Sequence, residues 1–261
     1  MRRLRRLGQK RSFRWSEGAC VLEGPDLVAA ALDANAALES IYVDEEHVGR
    51  LSDVLEAASR RDVRVYVLAT GVLERVADAT SPQPVLATAP LPISNLNDIA
   101  AEGLILVLHD VRDPGNAGTL IRSADATGAT GVVFSGHSVD PFNPKTLRAT
   151  AGSIFHLPVA VAELDETLHS FSQRGATTYA TVVHGGADHR SIDYLAPSLV
   201  VIGNEAEGLS EAAVALCDAQ ISIAMAGASE SLNAGVAGSL IAFESMWRRQ
   251  STGEGPLTPS L

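Results

Sequence analysis

Three polar segments of this sequence carry the side chains best suited to bind a ligand or to take part in a reaction. They are DPGNAGTLIR at residues 113–122, GNEAEGLS at 203–210, and the middle of ISIAMAGASESLNAGVAGSLIAFE at 221–244. Their polar side chains of interest are Asn116, Arg122, Glu205, Ser231 and Asn233. Amide and hydroxyl groups donate and accept hydrogen bonds, and a guanidinium can grip a carboxylate or phosphate with two parallel bonds. These types together indicate a binding pocket for a polar ligand.

Each of these segments follows an apolar run with strand character and precedes the start of a helix. In a parallel sheet such loops meet at the carboxyl ends of the strands, where ligands gather. Each also has a simpler interpretation: Asn116 as a helix N-cap, Arg122 as a solvated or salt-bridged side chain, and Gly203 and Gly208 as a sharp turn. The segment at 203–210 lacks the glycine spacing of a P-loop or a dinucleotide fingerprint, and its two carboxylates disfavour a phosphate-rich ligand.

The composition is typical of a soluble globular protein that has room for two domains, with 261 residues, 46% hydrophobic and 20% charged. No apolar run approaches the roughly 20 residues of a membrane-spanning helix. Cys20 and Cys217 lie far apart, so we expect no disulfide framework or zinc site, and a cytoplasmic location fits best. His184 and His189 flank a Gly-Gly turn without a nearby acidic cluster, so no metal site is expected.

The first 14 residues form a basic arm in a chain whose net charge is −11. The arm contains Arg2, Arg3, Arg5, Arg6, Lys10, Arg11 and Arg14. Such an arm often contacts nucleic-acid phosphates, and the alternative is a solvated, disordered tail. Neither a secretory signal nor a transit peptide is expected, because no apolar stretch follows the arginines and serine is sparse.

The first part of the chain alternates short helices and strands. Helices are predicted at 27–35, 51–60 and 71–79, and strands at 41–43, 63–68 and 85–89. This pattern predicts a small α/β sandwich at residues 1–95, followed by a proline-containing linker at 90–102.

The second part shows regular strand–helix alternation, which predicts a mostly parallel sheet with helices on both faces at residues 96–250. Strands are predicted at 104–108, 131–135, 178–183, 199–203 and the start of 221–244. Helices are predicted at 117–127, 145–150, 163–173, 211–216 and the end of 221–244. The tail at 251–261 is expected to be disordered.

The three polar segments resemble the motifs of one known family. The matching patterns, in the family's order, are Asn116-x-Gly118-x-x-x-Arg122, Gly203-Asn204-Glu205-x-Glu207-Gly208 and Glu230-Ser231-Leu232-Asn233. They resemble the SpoU (TrmH) family of RNA ribose 2'-O-methyltransferases over residues 103–248. Upstream, Glu23-Gly24-Pro25-x-Leu27-Val28 and Ile41–Glu45 are similar to the family's substrate-binding domain, which itself resembles kink-turn-binding ribosomal proteins.

This resemblance implies the SPOUT fold, an α/β domain whose C-terminal segment forms a deep trefoil knot. It also implies a homodimer that binds S-adenosylmethionine in the knot and methylates a ribose 2'-hydroxyl. The implied cofactor contacts are Gly203, Ile223 and Leu232, with Ile202 and Met225 nearby.

The resemblance also assigns roles to the polar residues. Arg122 would act on the 2'-hydroxyl, either as a base or as a clamp on the hydroxyl and the adjacent phosphate; arginine seldom loses its proton. Glu205 could hold the guanidinium of Arg122, and Asn116, Ser231 and Asn233 would fix the ribose. Where the family usually has valine and a small polar residue, this chain has Ala234-Gly235, which suggests close helix packing at the dimer interface.

Several alternatives concern the substrate and the activity. Ribosomal RNA is preferred to transfer RNA, because the kink-turn-like domain is common in ribosomal RNA modifiers, and a tRNA 2'-O-methyltransferase is the first alternative. The second is a non-catalytic RNA-binding or ribosome-assembly protein of the same fold, which would not need Arg122, Glu205 and Asn233 together. A dinucleotide-using enzyme is a remote third, since the glycine fingerprint is missing.

Overall fold

The computed structural model describes residues 1–75 and 83–251. Its contacts divide the chain into two compact units, Met1–Pro92 with Asp140–His156, and Ile93–Val139 with Leu157–Leu261. A single boundary near residue 95 does not describe this division, because Asp140–His156 packs with the first unit although it lies between two segments of the second.

The helices and strands follow one another along the whole described chain. The strands are β1 (Ala19–Glu23), β2 (Ser40–Asp44), β3 (Val65–Leu68), β4 (Val85–Pro90), β5 (Leu104–His109), β6 (Gly131–Ser135), β7 (Val159–Val161), β8 (Thr177–Thr181), β9 (Ala187–Asp188), β10 (Ser198–Ile202) and β11 (Ala219–Ser222). The α-helices are α1 (Arg2–Gln9), α2 (Arg11–Glu17), α3 (Pro25–Asp33), α4 (Ser52–Arg60), α5 (Pro114–Ala126), α6 (Pro144–Ala149), α7 (Leu164–Ser172), α8 (Glu211–Ala215) and α9 (Ala234–Ser251).

Most predicted elements are present within a few residues of their expected bounds. Residues 71–75 form turns instead of a helix, and the rest of that predicted helix, like the tail after Ser251, lies outside the described residues. The last strand ends at Ser222, and residues 223–233 are irregular up to the start of α9. The elements that were not predicted are α1, α2, β1, β7 and β9.

The first unit contains a four-stranded sheet in the order β1-β4-β2-β3. Strand β4 is antiparallel to both of its neighbours, and β2 is parallel to the edge strand β3. The basic arm is not a disordered tail, because it forms α1 and α2 and buries Leu4 and Leu7 against this sheet.

Arg14 of α2 is buried in the first unit, with only 2% of its side chain exposed. Its Nη2 lies 2.6 Å from Asp140 Oδ2, and its Nη1 donates to Leu7 O at 2.7 Å. A buried charge is costly unless it is paired and hydrogen-bonded, and both conditions are met here. The arm is therefore a structural part of the unit as well as a source of positive charge.

The second unit contains a seven-stranded, entirely parallel sheet in the order β7-β6-β5-β10-β8-β11-β9, as the strand–helix alternation predicted. The adjacent strands β6, β5 and β10 are apolar and almost entirely buried, because helices cover both faces of such a sheet. Within residues 1–75 and 83–251, no helix has the length and hydropathy required to cross a membrane.

Helices α5 and α9 of the second unit pack against each other along small residues. Ser123 Oγ and Ser239 Oγ share a hydrogen bond of 2.7 Å. Gly238 faces the fully buried Leu120, and a methyl group at this glycine would overlap the leucine side chain. This close approach places the start of α9 beside the start of α5, where the first polar segment lies.

Candidate active site

A cavity of about 310 Å³ lies in the second unit, at the carboxyl ends of the parallel strands. Its walls come from the loop after β10, the irregular segment after β11 and the first turns of α9. All the residues predicted to contact a cofactor line it: Ile202, Gly203, Ile223, Met225 and Leu232. Glu205 and Ser231 line it as well, whereas Asn116, Arg122 and Asn233 are not among its lining residues.

The loop after β10 is held tightly against the end of its strand. Asn204 and Gly208 exchange two backbone hydrogen bonds of 3.1 and 3.0 Å, and Gly208 has a φ of +67°, which favours glycine. At Gly203 the requirement is space, since a methyl group there would lie 2.5 Å from the carbonyl carbon of Gly208. The Asn204 side chain braces the loop, with Nδ2 donating to Asp110 O at 2.9 Å.

Glu205 connects this loop to the start of α5. Its carboxylate accepts hydrogen bonds from Arg112 N at 3.2 Å, Asp113 N at 3.0 Å and Asn116 Nδ2 at 3.0 Å. Partial burial opposes the charge, but the hydrogen bonds from Asn116, Asp113 and Arg112 outweigh it and hold the pKa of Glu205 below its ordinary value. The Glu205 carboxylate is thereby bound, in its charged form, to the N-terminal end of α5.

The expected pair between Glu205 and Arg122 is absent from the part of the chain that the structure describes. Arg122 lies six residues beyond Asn116, on the exposed face of α5 with Thr119. Among the described residues it forms no hydrogen bond or ion pair. Residues six positions apart lie about 120° apart around a helix, so Arg122 points away from the side of α5 on which Asn116 meets Glu205.

The N-cap of α5 is Asp113, not Asn116. The Asp113 carboxylate accepts from Asn116 N at 2.8 Å, and Pro114 occupies the first helical turn. Asn116 is nearly buried, and its side-chain amide is free to donate to Glu205 instead of capping. Capping of α5 therefore does not explain the presence of Asn116, and a role in ligand binding is the stronger interpretation.

Asn233 marks the start of α9, where its Oδ1 accepts from Val236 N at 3.2 Å. A methyl group at Gly235 would lie 3.1 Å from Asn233 Oδ1 and 3.2 Å from Asn116 Oδ1, so the two asparagines converge on this glycine. Gly235 therefore serves close packing within the chain, between α9 and α5.

The structure thus brings Asn116, Glu205 and Asn233 together, places Ser231 on the cavity wall and leaves Arg122 apart. Sequence reasoning missed the bracing role of Asn204 and the capping role of Asp113. Both residues lie inside the quoted motifs, and Asp-Pro before a helix is a signal for an N-cap. Over the described ranges there is no group of three or more His, Cys, Asp and Glu side chains arranged for a metal ion.

Comparison with known proteins identifies the class to which this fold and site belong. A family model described as the SpoU rRNA Methylase family matches residues 103–243, which is more than half of the chain. A second model, the MRM3-like substrate binding domain, matches residues 1–87. The chain belongs to the SpoU rRNA methylase family.

Individual relatives resemble the chain over most of its length. The 23S rRNA (guanosine(2553)-2'-O)-methyltransferase RlmP of Bacillus subtilis is 31% identical over 85% of this chain and 86% of its own. The 23S rRNA (uridine(2479)-2'-O)-methyltransferase of Streptomyces viridochromogenes is 39% identical over 69% and 65%. The crystal structure of the SpoU methyltransferase AviRb from Streptomyces viridochromogenes, in complex with AdoMet, superposes with a TM-score of 0.86, 29% identity and coverage of 96% and 97%.

Proposed function

We propose that this protein is an S-adenosylmethionine-dependent methyltransferase that methylates a ribose 2'-hydroxyl of ribosomal RNA in the cytoplasm. The observation that carries the proposal is the cavity at the carboxyl edge of the parallel sheet. It is lined by Ile202, Gly203, Ile223, Met225 and Leu232, the residues assigned to the cofactor from the motifs. A cavity of this size is at the lower end of the range for small-molecule sites.

The cavity has the chemistry that S-adenosylmethionine requires. Ile223, Met225 and Leu232 provide apolar surface for the adenosine portion, and Gly203 allows the backbone to approach it. Glu205, Glu207 and Glu230 add negative charge at the wall, which suits a cationic ligand better than a polyphosphate. When bound, the cofactor supplies an electrophilic methyl group for a displacement at carbon.

The polar residues beside the cavity would position the ribose. Asn116 is fixed by Glu205, and Asn233 lies next to it, so both amides are held in defined orientations before a substrate enters. Preorganised contacts of this kind contribute much of the acceleration of a displacement, because the nucleophile and the methyl carbon must align. Ser231 provides a further hydroxyl on the same wall.

Arg122 would reach the site of a second copy of the chain. The exposed face of α9 carries a stripe of Val236, Leu240, Phe243 and Trp247, of which Leu240 is 41% and Trp247 51% exposed. An apolar helix stripe of this kind favours burial in an interface. A homodimer that buries this stripe would place Arg122, on the neighbouring helix α5, at the interface. There Arg122 could act as a base only after its guanidinium has lost its own proton, whereas the charged guanidinium can clamp the hydroxyl and the adjacent phosphate; the stability of its charge favours the clamp.

The segments that line the cavity also form the region in which the family's trefoil knot would lie. The loop after β10 and residues 223–233 meet at one wall, and α9 then packs on α5. A knot at this place would hold both walls of the cavity without relying on side-chain contacts alone.

Transfer of label from S-adenosylmethionine carrying a tritiated methyl group to separated ribosomal and transfer RNA tests the activity. We expect label in ribosomal RNA, in a linkage that resists alkaline hydrolysis because its 2'-oxygen is blocked. Label confined to transfer RNA would show that transfer RNA, not ribosomal RNA, is the substrate. Label in an alkali-sensitive nucleotide would show that the methyl group is not on the ribose 2'-oxygen. If no RNA is labelled and calorimetry shows no cofactor binding, the protein is a non-catalytic RNA-binding member of the family.

Mixing two inactive variants tests whether the site is shared between copies. Arg122→Ala leaves the cavity intact, and Leu232→Arg blocks it while leaving Arg122 intact. If Arg122 acts across the interface, dissociating and reassociating the two variants together restores activity at one site of each mixed dimer. If each chain uses its own Arg122, the mixture remains inactive.

A further inference from the structure

A pair of stacked tyrosines lies at one edge of the four-stranded sheet of the first unit. Tyr42 of β2 and Tyr66 of β3 are directly opposite each other in the parallel register. Their ring centroids are 5.3 Å apart and their planes differ by 14°. Because β3 is the last strand of this sheet, the side of the Tyr66 ring that faces away from Tyr42 is not covered by another of its strands.

The pair is anchored on its inner side and open on its outer side. Tyr42 packs against the hydrophobic cluster that includes Leu4, Leu7 and Leu86, so its ring is held in place. Tyr66 retains 39% of its surface exposed. An ordered aromatic ring that keeps an exposed face is suited to stacking against another planar group at low cost in entropy.

A basic side chain lies directly before the strand of Tyr66, and others lie on the helices that share a hydrophobic cluster with Tyr42. Arg64 is exposed and its Nη1 donates to Tyr66 Oη at 3.4 Å. The N-terminal helices that pack on the same hydrophobic cluster carry further exposed basic residues, namely Arg2, Arg5, Arg6, Lys10 and Arg11. Arg3 and Arg14 are engaged in ion pairs, so the other residues supply the charge that is available to a ligand.

We propose that Tyr66, backed by Tyr42 and flanked by Arg64, is a stacking site for an unpaired base of the RNA substrate. The inference rests on the proposed function, because it assigns the first unit a direct contact with that RNA. Aromatic rings combined with basic side chains are the common means of binding single-stranded RNA, and stacking tolerates any base because each has a π face. An unpaired base would extend the existing stack of two rings, while Arg64 and the arm contact the phosphates beside it.

Binding of a short oligoadenylate, compared with an abasic ribose–phosphate oligomer of equal length, separates stacking from charge. Tyr66→Ala should weaken oligoadenylate binding about 5- to 100-fold and leave the abasic oligomer unaffected. Tyr66→Phe keeps the ring and should bind within about twofold of the parent. Val67→Ala is the matched control, because Val67 is its neighbour on the same strand, is 57% exposed and points to the other face of the sheet.

The salt dependence of RNA binding distinguishes the contribution of Arg64 from that of Tyr66. Arg64→Ala should lower the slope of log K against log salt by about one, whereas Tyr66→Ala should leave the slope unchanged. Equal binding of oligoadenylate by Tyr66→Ala and Val67→Ala would overturn the proposal, as would an equal loss with the abasic oligomer. A protein partner for this patch is indicated if RNA binding is insensitive to Tyr66.

Methyl transfer by the same variants shows which conclusion has failed. If the parent protein methylates ribosomal RNA and Tyr66→Ala matches Val67→Ala in both binding and KM, only the stacking site is wrong. If the parent neither binds RNA nor transfers a methyl group, the proposed function fails and the stacking site with it.

Discussion

Replacement of Gly203 by alanine should loosen the loop that forms one wall of the cavity. The added methyl would lie 2.5 to 2.8 Å from backbone atoms of Gly208 and Leu209, so the backbone must move by about 1 Å to reach ordinary contact. That movement strains or breaks the two hydrogen bonds between Asn204 and Gly208. At about 0.5–1.5 kcal/mol for each bond, the second unit should lose about 1–3 kcal/mol of stability.

Thermal unfolding and cofactor calorimetry measure the two consequences of Gly203→Ala. A loss of about 1–3 kcal/mol lowers the midpoint by about 2–12 °C in a unit of this size. Affinity for S-adenosylmethionine should fall about tenfold or more, which corresponds to the loss of one backbone hydrogen bond to the ligand. Gly8→Ala is the control, because it adds the same methyl to helix α1, where no atom lies within 4 Å.

The control should be neutral or stabilise by about 0.5–1 kcal/mol, because alanine favours a helix over glycine. If Gly203→Ala unfolds at the same temperature and binds the cofactor as tightly as Gly8→Ala, the close approach of the loop does not shape the cavity. If stability falls but cofactor affinity does not, the loop matters for folding alone.

Three further changes test other parts of the molecule. Arg14→Ala should destabilise the first unit by about 3–5 kcal/mol, because it leaves Asp140 as a buried unpaired charge, and denaturant unfolding measures this loss against Arg11→Ala on the exposed side of the same helix. Glu205 has a lowered pKa in the folded chain, so its contribution to stability is present above its ordinary pKa and is lost as the pH falls through the folded value. A pH titration of the melting temperature should therefore show a larger loss below about pH 4.5 in the parent than in Glu205→Gln, in which other carboxylates of lowered pKa, such as Glu39, still lose their contribution. Leu240→Asp should shift the protein to a monomer by light scattering and abolish methyl transfer if α9 forms the dimer interface, whereas a persistent dimer would place the interface elsewhere.

The parallel sheet of the second unit and the site residues on the cavity wall could be predicted from the sequence. Apolar runs followed by polar glycine-containing loops fix which residues lie at the carboxyl ends of the strands, and the resemblance then selects those that line the cavity. The hydrogen-bond partners of the site residues could not be predicted in the same way. Glu205 was matched with Arg122 on charge alone, but its neighbours are two backbone amides and Asn116, whose orientation depends on the cap at Asp113.

The N-terminal helices were missed for a different reason. Their sequence is dominated by arginine, and only a few apolar residues such as Leu4 and Leu7 indicate burial. What fixes them is the pairing of Arg14 with Asp140, 126 positions away in the chain. The local sequence pattern carries no information on a contact between residues so far apart. A folded basic arm and a solvated basic tail therefore cannot be told apart from the sequence of the arm alone.

Because residues 140–156 return to the first unit, cleavage between residues 92 and 93 should give two fragments that complement each other. A fragment ending at Pro92 lacks Asp140, the partner of Arg14; Phe142, which lies 5.8 Å from the ring of Trp15; and Arg148, which pairs with Glu23. The missing piece is carried by the other fragment, so a chain cleaved after Pro92 should remain associated through native contacts. An autonomous substrate-binding unit would instead need residues 140–156 grafted onto it by a new connection.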